Sequence, residues 1–343
     1  MDESKKVTIK DIAETANVSK STVSRVLNNS TPVNKAKRQA VLAAVAELDF
    51  EPNIYARGLA GGQSMTIGVQ TPELGSYCYD LATKGIIQAL TGTKYSPIFV
   101  MGGFAKESQR ATIETLIRRQ VDGLLIVFGD LNRSEIDEIS QKKPVLFVGR
   151  KIAGLESDCV FINNFDAGYR ATKFLIEQGH RQILHIHGIK DCPDAIERFE
   201  GYKSALRDSE IKFDEGLIYP GKYDGASGEA AIESALEAKK KFTAVFAAND
   251  RMAFGARLAF FRHGIKVPED VSIIGFDDQL ECAYSTPPLT SIRQPSFEMG
   301  QLAATAMLNL LGKKNYEMPC LPAEIIVRES TSCRKSKLGF PDR

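Results

Sequence analysis

The stretch Thr8–Asn29, TIKDIAETANVSKSTVSRVLNN, gathers residues whose types and spacing could do chemistry. Ile12, Ala13 and Ala16 share one face of a first helix over Ile9–Asn17. Ser19 is a good N-cap for a second, Lys20–Asn28, where Val23, Val26 and Leu27 keep helical spacing. Asn17 adopts a left-handed backbone more cheaply than most residues, so a tight turn there joins the pair. Small Ala13 lets the helices cross closely, and Val18 and Val23 seal the crossing. The outer face then carries Lys20, Ser21, Thr22, Ser24, Arg25 and Asn28, with Thr8 and Ser19 at the helix starts. Hydrogen-bonding side chains of this reach suit phosphates and base edges. Charge agrees with that chemistry. No acidic residue stands between Glu14 and Glu47, a window that holds Lys20, Arg25, Lys35, Lys37 and Arg38. Such a stripe neutralises phosphates, although a solvated helix face would carry the same charges. Asn34 caps a third helix, Lys35–Asp49, ended by Phe50-Glu51-Pro52-Asn53.

A second constellation is spread more widely. Arg198, Asn249, Asp277 and Gln294 follow apolar runs or open helical stretches, where an open α/β sheet places its ligands. Guanidinium, carboxylate and amide together offer donors and acceptors to vicinal hydroxyls. Asp194 is a weaker candidate, as are Tyr77 and Tyr79 in the loop after the first core strand. For Asp250 and Asp278, helix capping is the better reading. His185 and His187 share one face of a strand, and with no third ligand nearby they read as packing residues.

The elements that must position these groups alternate from Met65 onward. Apolar runs at Met65–Gln70, Pro97–Met101, Val121–Phe128, Pro144–Val148, Gln182–His187, Thr243–Ala247 and Val271–Phe276 read as buried parallel strands. Helical stretches separate most of them: Tyr79–Leu90, Lys106–Arg119, Ala167–Gln178, Ile196–Asp208, Gly228–Lys240 and Arg251–His263. A core of about 280 residues suits two stacked doubly wound α/β subdomains around a cleft. The expected organisation is a small all-α helix-turn-helix head (1–52), a hinge (53–62), an α/β ligand-binding core (63–335) and a loose tail (336–343).

Net charge is only +1 over 343 residues, so global charge identifies no partner. The six cysteines are scattered, which fits free thiols in a reducing cytoplasm. The N-terminus shows no apolar signal region, and no run approaches the length of a membrane span. Phosphate-binding glycine loops, a nucleophile elbow and a zinc-protease motif are missing, so neither catalysis, a cofactor nor a metal is expected.

The motifs together resemble the LacI–GalR family of bacterial repressors. The resemblance rests on VTIKDIAETANVSKSTVSRVLNN and VNKAKRQAVLAAVAELDFEPNIYARGLAGGQSMTIGV, then LIEQGHRQI, IERFEGYKSAL, AANDRMAFGA, VPEDVSIIGFDD and PPLTSIRQP. It implies a core like the periplasmic sugar-binding proteins, a homodimer and a pseudo-palindromic double-stranded operator. It implies that Asn53, Ala56, Arg57 and Leu59 belong to a hinge helix entering the minor groove, with Leu59 as wedge; a plain linker is the alternative. It further implies that Arg198, Asn249, Asp277 and Gln294 meet sugar hydroxyls, and that Tyr223 sets a ring against the apolar sugar face. Asn17 departs from the glycine of many members. Gly149 departs where many carry a polar residue facing the ligand. The implied function is a repressor of carbohydrate use released by a sugar or sugar phosphate. A corepressor-dependent regulator, a sugar-binding module without DNA function and an enzyme on a doubly wound fold are the rivals.

Overall fold

The computed structural model describes residues 7–28, 31–50, 63–103, 105–129 and 131–334. The chain divides into two compact units, Met1–Met65 and Thr66–Arg343.

The described residues of the first unit hold three helices, α1 (Ile9–Thr15), α2 (Lys20–Asn28) and α3 (Lys35–Glu47). Their starts are tied as the sequence leads one to expect. The Asp11 carboxylate accepts from Thr8 N at 2.8 Å, Ser19 Oγ accepts from Thr22 N at 3.2 Å, and Asn34 Oδ1 from Ala36 N at 2.9 Å. Asn17 does turn through the left-handed region, at φ 49°. Ile12, Ala13, Val23, Val26, Val41 and Ala44 form the small buried core, against which Val18 and Leu48 pack.

The second unit alternates strand and helix. It runs through β1 (Thr66–Thr71), α4 (Tyr77–Leu90), β2 (Ser96–Met101), α5 (Lys106–Arg118), β3 (Gly123–Val127), α6 (Arg133–Lys142), β4 (Val145–Val148) and β5 (Cys159–Ile162). Then come α7 (Asn164–Glu177), β6 (Ile183–Ile186), α8 (Pro193–Asp208), β7 (Ile218–Tyr219), α9 (Gly225–Glu237), β8 (Ala244–Ala247) and α10 (Asp250–Arg262). Last are β9 (Ser272–Asp277), α11 (Glu281–Tyr284), β10 (Thr290–Arg293), α12 (Ser296–Leu311), β11 (Cys320–Leu321) and β12 (Glu324–Ile326).

Two six-stranded sheets result, ordered β11-β5-β4-β3-β1-β2 and β12-β10-β9-β8-β6-β7. The pairings are parallel except that of β12 with β10. The chain therefore passes between the subdomains after β5, after β10 and after β11. Paired glycines seat the helices closely: a Cβ on Gly85 would strike the Phe297 carbonyl, and one on Gly300 the Ala82 carbonyl, where α4 crosses α12. Eight elements carried no clear signal in the sequence: β5, β7, β10, β11, β12, α6, α11 and α12. Strands β7, β11 and β12 are only two or three residues long, too short for a period to show. The amphipathic pattern of α6 spans only ten residues. Helix α12 buries Met299, Ala303, Ala304 and Met307 among further apolar residues, which masks its face.

Candidate functional site

In the head, α2 holds its predicted contact residues on its outer side. Lys20, Ser21 and Arg25 are exposed, while Thr22 and Ser24 are half-buried. The Ser19 hydroxyl gathers a small polar cluster, 2.8 Å from Ser21 Oγ and 2.9 Å from Thr22 Oγ1. Thr8 donates its hydroxyl to Asp11 at 2.7 Å. Lys20 and Arg25 appear in none of the ion pairs or hydrogen bonds of the described residues, so their charges face outward. The side chain of Asn28, and all of Asn53, Ala56, Arg57 and Leu59, lie outside the described residues.

In the core, seven of the eight predicted ligand residues line one cavity of about 340 Å³: Tyr79, Asp194, Arg198, Tyr223, Asn249, Asp277 and Gln294. They come from both subdomains, and all but Arg198, in the second turn of α8, sit at strand ends or helix starts, where the α/β rule places ligands. Tyr77 is not among them. It opens α4 and lines a neighbouring groove with Asp278 and Arg293. Two positions make ~200° of helical rotation, which separates Tyr77 from Tyr79.

The polar floor is largely prearranged. Gln294 Nε2 donates to Asp277 Oδ1 at 2.6 Å. Arg198 donates through Nε to Asn164 Oδ1 (2.9 Å) and through Nη1 to the Ala248 carbonyl (2.7 Å). Its guanidinium lies 3.5 Å over the Phe276 ring. Burial opposes the Arg198 charge, but Tyr223, Asp277 and Asp194 around it more than offset this and hold its pKa above the ordinary value. Burial raises Asp277 above the usual carboxylate range, with Arg198 pulling the other way. A carboxylate beside a guanidinium and an amide matches the alternating donors and acceptors of adjacent hydroxyls. Asn249 is mostly committed to structure: its Oδ1 caps α10 at Met252 N (3.0 Å) and its Nδ2 donates to the Tyr223 carbonyl (3.0 Å).

Asp250 and Asp278 stay out of the cavity lining, but they do not cap helices as expected. Asn249 holds the cap position, and Asp250 is buried where it accepts from Ser291 Oγ (2.6 Å) and Gln279 N (2.8 Å). Asp278 pairs with Arg293 and Arg328, each at 2.7 Å. Both aspartates clamp loops, because a buried carboxylate needs several donors at once. His185 belongs to the aromatic core: Nδ1 donates to the Phe246 carbonyl at 2.9 Å, among Phe199, Tyr202 and Phe246.

Sequence reasoning missed several lining residues, notably Phe128 and Arg150. They follow the carboxyl ends of β3 and β4, so the strand-end rule could have found them. Arg150 crosses the cleft: Nη1 donates to the Gly129 carbonyl at 2.6 Å, and Nε lies 3.8 Å from Asp194 Oδ1. At Gly149, φ is 88°, and an added Cβ would fall inside the Phe128 ring.

A helix-turn-helix unit beside a two-subdomain ligand core defines a DNA-binding regulator with a periplasmic-binding-protein-like sensor. Comparison with known proteins agrees on both units. Residues 8–53 match the family described as bacterial regulatory proteins, lacI family, and residues 172–331 a periplasmic binding protein-like domain. The chain is 35% identical to the ribose operon repressor of Haemophilus influenzae, over 94% of this chain and 98% of that protein. It is 33% identical to the transcriptional repressor PurR of Vibrio atlanticus, over 90% and 93% of the two chains. The crystal structure of the Lac repressor dimer bound to operator and the anti-inducer ONPF superposes with a TM-score of 0.86 at 29% identity, covering 96% of this chain and 100% of that one. The chain belongs to the LacI family of bacterial regulatory proteins. Among the described residues no helix is long and apolar enough to cross a membrane.

Proposed function

We propose that this protein is a homodimeric cytoplasmic repressor of a carbohydrate-utilisation operon, released from its operator by a sugar. The observation that carries the effector reading is the convergence of seven residues, distant in sequence, on one cavity, with Asp277, Arg198 and Gln294 arranged for adjacent hydroxyls. The DNA reading rests on Lys20, Ser21 and Arg25 standing exposed along α2, with Ser19 and Thr8 at the helix starts. Two such heads suit two half-sites of a pseudo-palindrome. The hinge segment with Asn53, Ala56, Arg57 and Leu59 supplies the minor-groove wedge. Relatives that include the ribose operon repressor support a sugar.

Linkage sets the sign of the switch: an inducer binds the operator-bound protein less tightly, by the factor with which it weakens DNA binding. The test is operator titration with and without the monosaccharide that most raises the melting temperature. Weaker operator binding with sugar, and a lost response in Asp277→Ala, is the expected result. Tighter binding with ligand makes the protein corepressor-dependent and overturns induction.

A further inference from the structure

Two aromatic residues of the cavity share an unusual construction. Phe128 (φ 50°) and Tyr223 (φ 63°) both hold the left-handed backbone that a bulky side chain rarely adopts. Each ring lies on a glycine from a neighbouring strand end, Phe128 on Gly149 and Tyr223 on Gly188; a Cβ on either glycine would enter the ring. Phe128 belongs to one subdomain and Tyr223 to the other, and both line the same cavity. Backbone held in a costly region persists where surrounding structure over-determines it. Here the Phe128 amide donates to the Val148 carbonyl at 2.8 Å, and the ring meets Tyr79 at 5.0 Å between centroids. Phe128 thus fills the space that a side chain at position 149 would take, and makes that wall apolar.

We propose that Phe128, seated on Gly149, is a specificity-determining residue that restricts the effector to one unphosphorylated sugar ring. The inference rests on the sugar reading above and narrows it. Three observations converge. The cavity, at about 340 Å³, lies at the small end of small-molecule sites. Its rings, Tyr79 and Phe128 on one subdomain and Tyr223 on the other, suit a ligand with apolar faces and a polar edge. Its lining holds five carboxylates against four cations, and Arg150, Arg198 and Arg251 already have protein acceptors or acidic partners. A phosphate dianion there finds three of the four cations already engaged.

Wild type, Phe128→Ala, Gly149→Asn and the double variant decide the matter. Melting is recorded alone and with monosaccharides, their 6-phosphates, disaccharides and hypoxanthine. A monosaccharide alone should stabilise wild type. Phe128→Ala should bind it roughly tenfold more weakly and accept a disaccharide containing it. A disaccharide or sugar phosphate that binds wild type as well as the monosaccharide overturns the size and charge restriction and leaves the sugar reading standing. Response to hypoxanthine alone, or to no compound in any variant, overturns the sugar reading and this restriction with it. The ring-on-glycine packing is judged without ligand. Gly149→Asn should lower the melting temperature less when Phe128 is already alanine. An equal loss in both backgrounds overturns the packing.

Discussion

The two regions proposed to meet ligands are built in opposite ways. On α2, Lys20 and Arg25 project into solvent, and the fold does not depend on their charge. In the cavity, Arg198 is buried and Asp277 half-buried, and each is already engaged by protein groups. DNA is a large polyanion that supplies its own partners, so the reader can be left unpaired in water. A small molecule brings few contacts, so its site must be rigid beforehand. Function and stability are therefore separable in the head and fused in the cavity.

The sharpest attempt to break this contrast is Arg198→Ala. It strips the guanidinium from Asn164, the Ala248 carbonyl and the neighbourhood of Asp277. A loss of about 3–5 kcal/mol in urea unfolding is expected, together with the effector response. A fully stable variant that fails only in effector binding would show the cavity to be as separable as the head. Arg25→Ala is the mirror experiment. It should cost about 1–3 kcal/mol at the operator and relax preference at one base pair, with melting unchanged. Equal weakening on every sequence would make Arg25 a phosphate clamp. Acid gives a further, smaller separation, because all four histidines lie in the second unit. Burial pushes His185 down to about 3, and burial lowers His180 as well. The unfolded chain therefore takes up protons first. Stability is full above the ordinary histidine range near ~6.5 and falls as pH drops below it, by about 1 kcal/mol per pH unit for His185. Melting between pH 7.5 and 5.5 should show this slope, and His185→Phe should flatten it. Ser19→Ala blurs the contrast within the head, since Ser19 Oγ both caps α2 and gathers Ser21 and Thr22. Amide exchange over α2 in the full chain should report about 1 kcal/mol of lost protection; unchanged exchange would remove the cap.

Legibility in the sequence follows the same division. The head is local: caps, turn and outer face lie within a few residues, so Ser19, Asn17 and Arg25 could be placed from spacing alone. The cavity joins residues as distant as Tyr79 and Gln294, and only the strand-end rule and family resemblance brought them together. Tyr77 shows the limit, since two positions at a helix start decide between a cavity and a groove. Gly149 stood out only through the family resemblance and Phe128 only by its place at a strand end, because an aromatic residue at positive φ resting on a glycine leaves no periodic trace.

The exchange of strands near the C-terminus has a consequence for the order in which the protein comes into being. β11 completes the first sheet and β12 the second, although most of both sheets was laid down far earlier in the chain. On a ribosome the three-helix head emerges early and holds all its own core residues. Both sheets wait for residues beyond Cys320. A nascent chain thus owns a DNA reader well before it owns a finished effector cavity, and late truncation removes an edge strand from both subdomains at once.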